Sequence, residues 1–120
     1  MAHGVLNAIM RPHVMRFNAD AVPDAMSAIA AAMRVDLHPA LPQRGREMDA
    51  YLNQARAPSA ASQAAALVAT LPVPHRLRDA GVPEAVLDAV AAEAATNATV
   101  QANPKPVTEA DLRVLLTRAW

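Results

Sequence analysis

His3-Gly4-Val5-Leu6-Asn7-Ala8-Ile9-Met10-Arg11-Pro12-His13-Val14-Met15-Arg16-Phe17-Asn18 is the stretch whose reading decides the fold class. Leu6, Met10, His13 and Phe17 recur at i, i+4, i+7 and i+11, which puts them on one face of an α-helix. A half-buried strand needs period-two alternation, and this run has none. The spacing predicts a helix over residues 4–17. Pro12 cannot donate to the Ala8 carbonyl and its ring crowds that turn, so a kink is expected there.

Helical spacing continues outward. Pro23 fits a first helical position and Asp24 suits the positive N-terminal end, predicting a helix to Met33 with Met26, Ile29, Ala30 and Met33 as its stripe. Residues 35–46 (VDLHPALPQRGR) carry two Pro, a Gly and mixed charges, and read as a loop. A third helix is expected from Arg46 to Ala55, with Met48, Tyr51, Leu52 and Ala55 on one face. Pro58 breaks it. Ser59 can cap a fourth helix lined by Ala60, Ala64, Leu67, Val68 and Leu71. Residues 72–81 (PVPHRLRDAG) form a connector in which Leu77 is expected as a buried single turn.

A fifth helix is expected from Pro83-Glu84, presenting Leu87, Val90, Ala91 and Ala94, and residues 97–106 read as a loop. The last helix carries the clearest signals. Thr108 can cap it, Asp111 sits where a capping-box acid belongs, and Val107 can staple onto Leu112. Leu112, Leu115, Leu116 and Ala119 complete that face. These readings predict an all-α fold, an irregular bundle of five to seven helices in a single domain over 1–120.

Composition agrees. Thirty residues are Ala, the best helix former, so the chain favours helices throughout. Three residues are aromatic (Phe17, Tyr51 and Trp120), so the core must be assembled from many small contacts. Eleven basic and eleven acidic residues cancel, and no basic stripe offers a footprint for nucleic-acid phosphates. No run of about 18 apolar residues occurs, so no membrane span is expected. There is no Cys, which excludes thiolate metal sites and suits a cytoplasmic protein.

His3, His13, His38 and His75 are the imidazoles available. A metal site needs three or four donors at about 2.0–2.3 Å, and no two of these His stand at i, i+4 on a helix. Spacing alone assigns no site. His13 beside Pro12 reads as a packing residue, and His75 beside Arg76 and Arg78 as part of a solvated charge cluster. Ion pairs from those Arg to Asp79 or Glu84 would each contribute less than about 1 kcal/mol. The Met residues read as soft core filler. Thr96, Asn97 and Thr99 read as caps and turn formers. Ser27, Ser59 and Ser62 lie in Ala-rich helical contexts without a GxSxG turn, which argues against a hydrolase.

Three segments carry a resemblance. The opening, residues 3–18, looks like HGxxNAxxxPHVxxxN. Residues 77–84 (LRDAGVPE) look like an LRDxGVPE connector. The tail from Asn103-Pro104-Lys105-Pro106-Val107-Thr108 through Asp111-Leu112, Leu115-Leu116 and Ala119-Trp120 looks like NPxPVT..DL..LL..AW. In this order the chain resembles the C-terminal helical domain of the iron-containing alcohol dehydrogenases, which are related to the maleylacetate reductases and share a dehydroquinate synthase-like helical domain. Two departures stand out. Leu6 occupies a position usually held by a small residue, and Met10-Arg11 replaces two apolar residues before Pro12.

The resemblance implies an N-terminal NAD(P)-binding α/β domain ahead of these helices, and an ion, Fe(II) or Zn(II), held by one Asp and three His. By matching position, His3 is the last of those His ligands. The ion would polarise the substrate oxygen while hydride passes to or from the nicotinamide. The other ligands and the pyrophosphate loop are expected upstream of residue 1. The chain is therefore expected to be a partial oxidoreductase that does not turn over alone and binds metal or NAD(P) weakly. Its expected partner is an upstream NAD(P)-binding half or further copies in a homo-oligomer such as a homodimer. The alternatives are a non-catalytic helical interaction or assembly module, and, less favoured, a maleylacetate reductase-like fragment.

Overall fold

The computed structural model describes residues 2–37 and 59–120, and the described residues are helical without strands. The elements are α1 (His3–Asn18), α2 (Pro23–Leu37), α3 (Ala60–Ala69), a 3-10 turn (Glu84–Val86), α4 (Leu87–Ala95), α5 (Ala98–Gln101) and α6 (Glu109–Ala119). The all-α expectation holds. The helix expected over residues 46–55, with Tyr51, lies outside the described residues, as does His38. No helix among the described residues is long and apolar enough to cross a membrane.

The starts of these helices follow from their capping chemistry. The Ser59 hydroxyl accepts from the Ser62 backbone N–H at 3.2 Å and opens α3. Thr108 and Asp111 form the expected reciprocal capping box at α6, satisfying two backbone donors at once. Asn97 accepts from the Thr99 N–H at 2.8 Å and starts α5 inside residues 97–106. This corrects the loop expected there: a good N-cap followed by Ala98 is enough for one helical turn. α2 also runs past its expected end, to Leu37.

α1 passes through Pro12 without interruption and buries it together with Ile9 and Asn18. The expected face of Leu6, Met10, His13 and Phe17 is only half-buried. The deepest line of the helix is rotated toward Ile9 and Pro12. Proline carries no N–H, so its ring can be buried without leaving a donor unsatisfied.

α1 sits centrally, with α3 packed on one side and α6 on the other; α2 packs on α3, and α4 on α6. Ile9, Leu77, Leu87 and Ala119 form a buried cluster ringed by Val5, Leu6, Met10, Ala80, Val82, Leu116 and Trp120. Leu77, expected as a buried turn, is 3% exposed. The α1–α3–α2 region uses alanine instead: Ala30, Ala60, Ala61 and Ala64 are buried, and Gln63 donates to the Ala30 carbonyl at 3.3 Å. This corrects the face expected for α3. Ala60 and Ala64 point inward as predicted, but Leu67 is 58% exposed and Leu71 43% exposed. The seam is built from small side chains that allow close helix approach, and the larger residues of α3 are left outside it.

Candidate functional site

His3 is the first residue of α1. Ala2 precedes it as a cap without side-chain hydrogen bonds, and the imidazole is exposed. Leu6, one turn later, turns into the core cluster, and Arg11 stays exposed. Neither departure from the resembled motif therefore sets a charge into a packed face.

The other His are not gathered around His3. His13 lies on α1, half-buried, between Arg16 and Arg118. Burial first, then the two neighbouring guanidiniums, lower its pKa from the usual imidazole range. His75 is exposed, with Nε2 3.2 Å from the Leu71 carbonyl oxygen. Among the described residues no group of three or more His, Asp or Glu is arranged to hold a metal ion. The donor set of these residues does not fit a complete ion site, and His3 offers a single imidazole.

The structure does bring the three resembled segments together. The last residue of the first segment, Asn18, pairs with the first residue of the tail, Asn103. Asn18 Nδ2 donates to Asn103 Oδ1 at 2.9 Å, and Asn103 Nδ2 donates to Asn18 Oδ1 at 2.7 Å. Lys105 completes this clip at the C-terminal end of α1. Its Nζ donates to the Phe17 carbonyl at 3.2 Å, pairs with Asp20 at 3.1 Å and lies 4.5 Å from the centre of the Phe17 ring. A cation at a helix C-terminus meets unsatisfied carbonyls and the negative end of the helix dipole. The Lys105 hydrogen bond is also the main reason the Asp20 carboxyl titrates below its ordinary value.

The middle segment is held by the tail's final residues. Leu77 N–H donates to the Ala119 carbonyl at 2.9 Å, and Trp120 Nε1–H donates to the Val82 carbonyl at 2.9 Å. The Arg78 guanidinium lies 5.9 Å from the centre of the Trp120 ring. Gly81 closes this turn at φ +86°, in the left-handed region that other residues adopt at a cost. The Asn18–Asn103 pair and the Lys105 clip join positions 85 or more residues apart, which helical periodicity does not register.

The matches to known proteins follow the same lines. Residues 1–120 match the Fe-containing alcohol dehydrogenase family, C-terminal. The chain is 33% identical over 118 residues to lactaldehyde reductase of Escherichia coli K12, covering 98% of this chain and 28% of that protein. It is 31% identical over 120 residues to 1,3-propanediol dehydrogenase of Citrobacter freundii, covering 100% of this chain and 28% of that protein. It is 32% identical over 117 residues to 4-hydroxybutyrate dehydrogenase of Cupriavidus necator, covering 98% of this chain and 27% of that protein. No solved structure gives a significant match. The chain thus spans just over a quarter of the length of these relatives. With its whole length matched and its three diagnostic segments bonded to one another, this chain belongs to the Fe-containing alcohol dehydrogenase family, as the C-terminal part of that architecture.

Proposed function

We propose that this chain is the helical C-terminal part of a metal-dependent, NAD(P)-linked alcohol dehydrogenase, and that it contributes His3 as one ligand to an ion held mainly by residues of the remaining part. The observation that carries this reading is the placement of His3. It stands exposed on the first turn of α1, whose opposite end is fixed by Asn103 and Lys105.

The test uses the purified 120-residue chain with Fe(II) or Zn(II), NADH or NADPH, and lactaldehyde, the carbonyl substrate that one relative's name gives. Cofactor oxidation at the buffer baseline is expected. Co-expression with an NAD(P)-binding N-terminal part of the same family is expected to yield metal-dependent turnover that His3→Ala removes. Turnover by the chain alone overturns the claim of incompetence. Turnover of the assembled protein that survives His3→Ala overturns the ligand assignment.

A second reading, a helical assembly module, is favoured by the exposed apolar side chains. Leu67 at 58%, Val114 at 48%, Leu71 at 43% and Val90 at 42% exposure place branched hydrocarbon in water on and beside α3, α4 and α6. A homo-oligomer or a tight complex with an NAD(P)-binding part would cover some of it. Sedimentation of the isolated chain as a monomer at high concentration counts against self-association.

A further inference from the structure

α1 and α6 flank a groove of about 390 Å³ lined by His13, Arg16, Phe17, Asp111, Val114, Leu115 and Arg118. It lies toward the end of α1 away from His3. Its lining includes two guanidiniums, those of Arg16 and Arg118. Arg113, elsewhere on α6, is paired with both Asp88 at 2.8 Å and Glu109 at 3.5 Å. Arg16 and Arg118 make no ion pair or hydrogen bond among the described residues. Asp111 also lines the groove and stays ionised, its Oδ2 accepting the Thr108 backbone N–H at 3.0 Å and hydroxyl at 2.8 Å, so the lining carries two guanidiniums against one carboxylate. Both Arg also act on His13, which places the three side chains within one electrostatic neighbourhood.

Phe17, Val114 and Leu115 give the groove an apolar part. One face of Phe17 is covered by Lys105, whose charge Asp20 neutralises. Two guanidiniums without an ion pair among the described residues, in one groove with hydrocarbon side chains, fit a ligand with an anionic head and an apolar body. A guanidinium binds a carboxylate through paired N–H donors, and the ring or chain behind it covers the apolar part. We propose that this groove binds a small organic carboxylate, with Arg16 and Arg118 on the carboxylate and the apolar body against Phe17 and Val114. The proposal is independent of the role assigned to His3.

The probe is sodium benzoate, titrated into the isotopically labelled 120-residue chain and followed by amide shifts, with sodium chloride at matched ionic strength and inorganic phosphate as controls. Saturable shifts confined to the ends of α1 and α6 are expected with benzoate. An Arg16→Gln/Arg118→Gln double variant is expected to weaken binding tenfold or more. Both side chains are exposed and without an ion pair among the described residues, so its thermal midpoint should stay near that of the parent chain. Val114→Glu, which adds a second carboxylate to the groove within i,i+4 reach of Arg118, is expected to abolish the shifts with both Arg retained. Shifts reproduced by sodium chloride, or unchanged in the double variant, overturn the site. Phosphate binding as tight as benzoate overturns the assignment of an apolar body.

Discussion

Asn18 and Asn103, 85 positions apart, exchange two side-chain amide hydrogen bonds of 2.9 and 2.7 Å and so join the end of α1 to the segment before α6. Asn18 is 8% exposed, so its amide depends on this partner. Replacing Asn103 with Ala strands a largely buried amide, at a cost of about 1–3 kcal/mol. A double-mutant cycle with Asn18→Ala in urea should return a coupling of about 0.5–3 kcal/mol. Strictly additive losses would show that the two amides act separately.

The two kinds of core should respond differently. Leu77→Ala empties the centre of the aliphatic cluster and is expected to cost about 2–5 kcal/mol. Val90, 42% exposed on α4, should tolerate the same truncation within about 0.5 kcal/mol. Urea midpoints compare them directly, and equal losses would place the stabilising contacts elsewhere.

Trp120 is the single tryptophan, so intrinsic fluorescence reports its surroundings alone. Its half-buried ring donates to the Val82 carbonyl, and unfolding is expected to shift emission to longer wavelength. Trp120→Phe keeps most of the ring volume and removes the donor, which should cost about 0.5–1.5 kcal/mol. A destabilisation far below that range, measured by circular dichroism, would mean the bond contributes nothing net.

Acid should weaken the fold in two separate windows. His13 titrates below its ordinary 6.5 in the folded chain, because burial and then Arg16 and Arg118 disfavour the imidazolium. The unfolded chain therefore binds the extra proton more readily. Stability from this group is complete above 6.5 and is lost as pH falls toward the lowered value. Asp20 and Asp111, both lowered from 3.8, lose their contribution only as pH falls below that value. Thermal midpoints at pH 8 and pH 5 should differ less in His13→Gln than in the parent chain. An unchanged difference would exclude His13 as the source.

Helix existence was legible because caps and periodicity are local. Ser59, Thr108 and Asp111 act as their positions predict, and residues 3–18 form one helix. Which face is buried was less legible. On α3 the chain chose alanines over Leu67, because close packing against α1 and α2 rewards small side chains that a hydrophobicity pattern ranks lower. The α5 turn escaped notice for lack of length, since four residues carry no period. At the candidate site, the segment around His3 was legible only through resemblance. The clip around Lys105 was not legible at all, since a lysine in a Pro-flanked stretch has no pattern that announces a partner 85 residues earlier.

α1 is anchored at both extremities. From His3 to Asn18 the axis runs about 22 Å at 1.5 Å per residue. Lys105, Asn103 and Asp20 grip one extremity by polar contacts. Val5, Leu6, Ile9 and Met10 wedge the other into hydrocarbon. Salt and pH can therefore slacken the far extremity while the turn that carries the imidazole keeps its seat.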